Sequence, residues 1–303
     1  MKKMRNTMAL VLALLLALTA CGQKEAPVET TAAPTEAVVE TTAAAVAEPV
    51  NVMVLNGTTG FGMANLMDAA ATVYNKTQGK VQVLALNTLG VLYLVTDGSV
   101  SVESMADLAG RTVYAPAQNP SFIFQYLCRA NGLTDVTIDN TYAQPADLNT
   151  AVAAGEVSVA VLPEPMVTVA KSKNPDLVVA LDLTAEWDKV APAGSLVQGC
   201  VVVRKDFVLE NAAAVNTFLA EYGASIEALT SDIEGTAAKI EANGIFAKAA
   251  VAAKAIPNCN VCFITGADMQ AALSEFLTIM HGVAPASVGG SVPGNDFYCI
   301  FNG

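Results

Sequence analysis

Thr112-Val-Tyr-Ala-Pro-Ala-Gln-Asn-Pro-Ser-Phe-Ile-Phe-Gln-Tyr-Leu-Cys-Arg-Ala-Asn-Gly-Leu-Thr-Asp-Val-Thr-Ile138 decides the fold class of this chain. Thr112 to Ala115 is β-branched and aromatic, and predicts a strand. Pro120 to Ala130 predicts a helix, opened by proline and stopped at Gly132. Val136 to Ile138 predicts a second strand. The same grammar continues, with a helix over 146–154 stopped by Gly155, a strand over 157–162 and another over 177–183. Strands alternating with helices of this length predict an α/β domain with a parallel sheet and crossover helices.

Further along, residues 200–203 predict one more strand, and then the pattern turns helical. Val215, Phe218, Leu219, Tyr222, Ile226 and Leu229 recur at spacings of three and four, the signature of an amphipathic helix. Helices are expected over 235–242, 246–255 and 266–281. Thr265-Gly-Ala-Asp268 has the form of a capping box, and Asn211 is placed to cap the helix after it.

Upstream, Val52 to Leu55 and residues 81–86 predict strands. Four loops then follow probable strands: 56–62, 87–90, 116–121 and 163–165. In open α/β sheets ligands bind beyond the carboxyl ends of the strands. Asn56-Gly-Thr-Thr-Gly-Phe-Gly62 also opens a helix, whose free N–H groups suit an anion or a carbonyl-rich ligand. As mere turns these loops would each be explained singly; four of them, rich in Gly, Pro and Asn on one edge, point to a binding site.

The N-terminal end is an export signal. Lys2, Lys3 and Arg5 precede an unbroken apolar run from Met8 to Leu18, too short to span a bilayer as a mature anchor. Leu18-Thr-Ala-Cys21 resembles the bacterial lipobox, which predicts lipidation at Cys21. Residues 23–49 are Ala, Thr, Glu, Val and Pro without aromatics, a flexible tether by composition. Removing the signal and its three positive charges takes the net charge from −12 to −15. That balance argues against nucleic acid, which needs a basic face. The expected whole is a monomer on the outer face of the cell membrane, held there by lipid.

Besides Cys21 there are Cys128, Cys200, Cys259, Cys262 and Cys299, an odd number and no disulfide framework. Cys259-Asn-Val-Cys262 has redox or half-zinc spacing, yet no second pair follows, so the two read as small hydrophobes in or beside a strand. His281 is the only histidine. With no Ser-His-Asp order, no telling carboxylate pair and no metal cluster, an enzyme has few actors here. Gly57 to Gly62 follows a strand and opens a helix, but the glycine frame of a dinucleotide loop and its later acidic residue are both missing. No cofactor and no metal are expected.

Taken in order, several stretches resemble the solute-binding proteins of bacterial ABC importers, in the nitrate/sulfonate/thiamine-precursor group. They are Asn56-Gly-Thr-Thr-Gly-Phe-Gly-Met-Ala64, Asn87-Thr-Leu-Gly-Val-Leu-Tyr93, Asp107-Leu-Ala-Gly-Arg-Thr-Val113, Ala154-Gly-Glu-Val-Ser-Val-Ala160 with Leu162-Pro-Glu-Pro165, Val201-Val-Val-Arg-Lys-Asp-Phe207 and Gly289-Gly-Ser-Val-Pro-Gly-Asn-Asp-Phe-Tyr298. The resemblance implies a two-lobed α/β fold of the type II periplasmic-binding-protein kind, binding without catalysis. Its lobes would be 50–93 with 201–303, and 94–200, after a signal over 1–20 and a lipidated tether over 21–49. Its partners would be a small polar solute and the importer's permease subunits.

Carried onto this sequence, the resemblance implies ligand contacts from Asn56, Thr58, Thr59 and Phe61 on one side. Asn119, Ser121, Glu164 and Trp187 would come from the other, with Asn87, Thr88 and Gln198 near the hinge, where the chain would cross between lobes at Leu92–Val95 and Gln198–Val202. Trp187, the only tryptophan, could stack on a flat ligand, or simply pack. Glu164 and Trp187 together would suit a flat, amine-bearing ring. Arg111 and Arg129 are the basic residues nearest the loops, a sparse set for a multiply charged anion. The chain departs from the family at Leu66-Met-Asp-Ala-Ala-Ala-Thr-Val-Tyr74, where strand and helix are missing, so the first lobe is expected to be shortened.

Overall fold

The computed structural model describes residues 66–300. The expected strand at 52–55, the 56–62 loop and Cys21 lie outside them. In chain order come α1 (Leu66–Lys76), β1 (Val81–Thr88), β2 (Leu92–Thr96), β3 (Thr112–Tyr114), α2 (Asn119–Ala130), β4 (Thr137–Asp139), α3 (Pro145–Ala153), β5 (Val159–Pro163), α4 (Met166–Lys173), β6 (Val178–Asp182) and α5 (Leu183–Trp187). After them follow β7 (Gly199–Arg204), α6 (Lys205–Glu210), α7 (Ala212–Ser231), α8 (Ile233–Ala242), α9 (Ala249–Ala255), β8 (Val261–Ile264) and α10 (Gly266–Val283). The stretch where relatives would carry extra strand and helix is one uninterrupted helix, α1.

The strands form two sheets, one in the order β7-β1-β8 and one in the order β4-β3-β5-β2-β6. β3 is parallel to both β4 and β5, as the alternating pattern predicts. β2, upstream of that pattern, lies between β5 and β6 and runs antiparallel to both. β2 arrives from the other sheet through the short link 89–91 rather than over a crossover helix, so it enters from the opposite end. The three-stranded sheet is antiparallel on both sides of β1.

Local chemistry explains the elements. α2 carries proline in its first turn and ends at Asn131–Gly132, where Gly132 takes φ +72°, a left-handed stop that costs glycine little. Its Ile123, Phe124 and Leu127 are fully buried against the five-stranded sheet, each worth roughly 1.5–3 kcal/mol of transfer free energy. Two caps differ from expectation. Thr265 accepts no capping hydrogen bond, and Asn211 turns back to donate to the Phe207 carbonyl at the end of α6. Asp182 and Asp232 cap α5 and α8 instead.

One apolar cluster runs through both sheets. α10 contributes Met269, Leu273, Phe276, Leu277 and Met280, which pack with Val83 and Leu86 of β1, with α2 and with Trp187. A tail over 285–299 closes the other side: Asn75 Nδ2 donates to the carbonyls of Val288 and Ser291, and Cys299 N–H donates to the Val83 carbonyl. Asp296 accepts from Tyr74 and pairs with Lys205.

Candidate functional site

Strand register decides which loops meet. Thr88 at the end of β1 lies opposite Gly199 at the start of β7 and Val261 at the start of β8. That edge of the three-stranded sheet therefore carries Asn87, Thr88, Gln198 and Asn260. In the other sheet Leu92 pairs with Pro163 and Tyr93 with Asp182. The start of β2 thus shares an edge with the carboxyl ends of β3, β4, β5 and β6, and so with Asn119, Ser121, Glu164 and Thr184. Only residues 89–91 separate the two edges along the chain, a span of at most about 14 Å from Thr88 to Leu92. The two edges therefore adjoin.

Hydrogen bonds knit the junction. Gln198 N–H donates to the Thr88 carbonyl at 3.0 Å. Thr88 Oγ1 donates to Asn87 Oδ1 at 3.2 Å, and Asn87 Nδ2 donates to the Tyr222 hydroxyl at 3.0 Å. Asn260 holds the link from both sides: its carbonyl accepts from Leu89 N–H at 3.0 Å and its Nδ2 donates to the Gly90 carbonyl at 2.6 Å. Across the link, Glu164 N–H donates to the Val91 carbonyl at 2.9 Å, and Tyr93 Oη donates to the Asn258 carbonyl at 3.0 Å.

Glu164 is buried, and its carboxylate accepts from Thr168 N–H at 3.1 Å, from Thr168 Oγ1 at 2.9 Å and from the Asn258 side chain. Burial pushes its pKa above the usual carboxylate value, and the Thr168 and Asn258 bonds offset part of that rise. The Tyr93 hydroxyl is pushed up first by burial and then by Asp182 and Glu164. Cys259 and Cys262 are free, with thiols pushed up to about 12 chiefly by burial.

Beyond β3, Ser121 Oγ donates to Asn140 Oδ1 at 3.4 Å, and Asn140 Nδ2 donates to the Ala115 carbonyl at 2.8 Å. Asn119 and Gln198 are only 6% and 2% exposed, yet Asn119 Oδ1 and Gln198 Nε2 have no hydrogen-bond partner among the described residues. Thr184 Oγ1 is likewise unpaired. Buried polar atoms in folded proteins are nearly always satisfied, and three of the five unpaired ones among the described residues lie at this junction, which makes it the candidate site; Ser287 Oγ and Tyr298 Oη are the other two.

Of the residues singled out from sequence, Asn87, Thr88 and Gln198 come together directly, and Glu164 joins them through Val91. Asn119 and Ser121 stand on the Glu164 edge of the sheet. Asn56, Thr58, Thr59 and Phe61 lie outside the described residues. Trp187 is corrected: its ring is fully buried between Tyr126 and Phe276, 4.8 and 6.1 Å away between centroids, and its Nε1 donates to Ser195 Oγ. A fully enclosed ring with its one donor satisfied has no face left to stack on a ligand.

Sequence reading missed Tyr222, Thr168, Asn258 and Asn260. Tyr222 reads as one more apolar position on α7. Asn258 and Asn260 flank Cys259, where cysteine spacing draws the eye; the better signal was the asparagine pair, since Asn260 adopts φ +44°. Among the described residues no three His, Cys, Asp or Glu side chains gather as a metal site.

No protein-family model matches the chain, and no curated protein matches it in sequence. Solved structures do. An ABC transporter from Parabacteroides distasonis is 24% identical, with a TM-score of 0.66 over 77% of this chain and 78% of that one. The periplasmic aliphatic sulphonate binding protein SsuA from Escherichia coli is 14% identical, with a TM-score of 0.61 over 78% and 75%. This is the type II periplasmic-binding-protein fold. The desulfurization enzyme DSZB also superposes, 12% identical with a TM-score of 0.52 over 74% and 81%, so the fold by itself does not separate binding from catalysis. Among the described residues no helix is long and apolar enough to cross a membrane.

Proposed function

We propose that this chain is a lipid-anchored, extracytoplasmic solute-binding protein that hands a small polar solute to the permease of an ABC importer. The observation that carries the reading is the junction itself. Asn87, Thr88, Asn119, Ser121, Glu164 and Gln198 are six of the ten buried polar residues among the described residues, and they stand on the two adjoining sheet edges. The lobes would be close to the expected 50–93 with 201–303, and 94–200, with the boundaries moved by a few residues to where the chain passes between sheets, at 89–91 and just before β7 at Gly199. Cys21, following Leu18-Thr-Ala, would carry the lipid, and residues 22–49 would let the body reach the permease as a monomer.

An enzyme on the same fold is disfavoured by the chemistry present. The thiols nearest the junction are held protonated far above neutral pH, so neither serves as a nucleophile. A second reading is a surface lipoprotein of the same descent that no longer binds tightly. It draws on the narrow β7-β1-β8 sheet, with three strands among the described residues against five in the other. A thermal-shift screen of small polar solutes tests the first reading: a true solute raises the melting temperature by an amount that grows with its concentration. Membrane fractionation of a Cys21→Ala variant tests the anchor, which fails if the variant stays membrane-bound.

A further inference from the structure

The charge and the unpaired amides of the junction restrict what can sit there, given the solute-binding reading. We infer that the solute is a neutral or singly cationic nitrogenous compound with a hydrogen-bond donor beside an acceptor, such as a carboxamide or an aminated ring, and not an oxyanion.

Three observations support this. First, no Lys or Arg occurs in the described segments that form the two edges, 87–91, 115–121, 139–142, 163–168, 182–184, 198–199 and 258–261. Arg111 precedes β3 and Arg129 ends α2, so both stand toward the opposite end of the sheet from Asn119. Lys189 is paired with Glu186 at 2.7 Å, and Lys254 is exposed on α9.

Second, helix N-termini, which would otherwise attract an anion, are already taken by the chain's own carboxylates. Glu164 accepts from Thr168 N–H in the first turn of α4, Asp182 accepts from Thr184 N–H at the start of α5, and Asp147 stands in the first turn of α3. Among α2, α3, α4 and α5, the helices that begin at this edge, only α2 opens without an acid, and Pro120 removes one of its donors. An oxyanion would meet carboxylates where it needs donors.

Third, the three orphans at the junction are an amide oxygen of Asn119, an amide nitrogen of Gln198 and the hydroxyl of Thr184. Each amide presents a donor and an acceptor whichever way it is turned, so a complementary solute must present both. A sulfonate or sulfate offers acceptors alone and would leave an amide oxygen buried and unpaired.

The experiment is a thermal-shift and calorimetric titration of the mature chain at constant ionic strength. Nicotinamide, cytosine and uracil form one arm; benzenesulfonate, ethanesulfonate, nitrate and sulfate form the other. We expect concentration-dependent stabilisation in the nitrogenous arm only. Asn119→Ala and Gln198→Ala should each weaken that binding by about 2- to 12-fold, the value of one lost hydrogen bond. Saturable binding of a sulfonate or oxyanion, weakened by the same two substitutions, would overturn the inference and leave the solute-binding reading standing. No binding in either arm by a folded chain would overturn both.

Discussion

Tyr93 of β2 donates its hydroxyl hydrogen to the backbone carbonyl of Asn258, so a side chain of the five-stranded sheet grips the turn that feeds the third strand of the other sheet. Removing the hydroxyl with Tyr93→Phe should cost roughly 0.5–1.5 kcal/mol, the usual net value of such a bond. Hydrogen exchange should then quicken over 256–262 more than elsewhere. Unchanged exchange in that turn would mean the bond does not hold it.

Glu164 makes the junction pH-sensitive. Its folded pKa is raised above the ordinary value of 4.5, so its protonated form is the one the fold favours. The stability it contributes is fully present below about 4.5 and is lost as pH rises through the raised folded value. Glu164→Gln removes that dependence. Relative to the variant, the wild type should therefore gain stability on acidification from pH 8 to pH 4, in urea melts. Parallel curves would contradict this.

Cys259 and Cys262 should be inert in the native state. With pKa values pushed up to about 12, only about one thiolate in ten thousand exists at pH 8. Iodoacetamide should label them only after unfolding. Replacing both with alanine should cost about 1–2 kcal/mol, as loss of small buried groups does. Stoichiometric zinc, or rapid native labelling, would refute this.

Gly90 cannot carry a side chain where it stands. An added Cβ would overlap Thr184 Oγ1 and lie 2.7 Å from Leu196 Cδ2. Gly90→Ala should cost about 1–3 kcal/mol by overpacking, and Thr184→Ala in the same chain should restore part of that loss. A Gly90→Ala protein as stable as the wild type would show that the link has room.

Trp187 offers an optical check on its own placement. Buried between Tyr126 and Phe276, its fluorescence should be shielded from acrylamide in the native chain and become quenchable in urea. Bound solute should leave its emission unchanged. Native quenching as strong as in urea would return the ring to the site.

Much of this was legible in the sequence, and the losses have physical causes. α2 was placed to within one residue at its start because proline, a full apolar face and a glycine stop agree. The loops at strand ends were legible from their Gly, Pro and Asn content, whereas the individual residues Asn87, Thr88, Asn119, Ser121, Glu164 and Gln198 came from the family resemblance. The direction of β2 was not legible, since side chains alternate with period two whichever way a strand runs. Trp187 was misplaced because an amphipathic ring suits a pocket and a core equally well. Asn211 has the right residue type for a cap, yet its side chain found a nearer carbonyl at Phe207.

The order in which β1 acquires its neighbours bears on how the chain is made. The five-stranded sheet draws every strand from Leu92 to Asp182, one continuous stretch. β1 is synthesised before all of it, yet its partners are β7, β8 and the tail that bonds Val83 through Cys299. Closing loops of that length is slow compared with local pairing. The segment Val81-Gln-Val-Leu-Ala-Leu-Asn-Thr88, apolar and β-forming, must therefore wait with both edges bare until β7 is made, and with one edge bare until β8 follows. A chain cut short before Val261 would keep an aggregation-prone strand permanently uncovered on one side, and quality-control proteases should recognise such fragments even though their five-stranded half can fold.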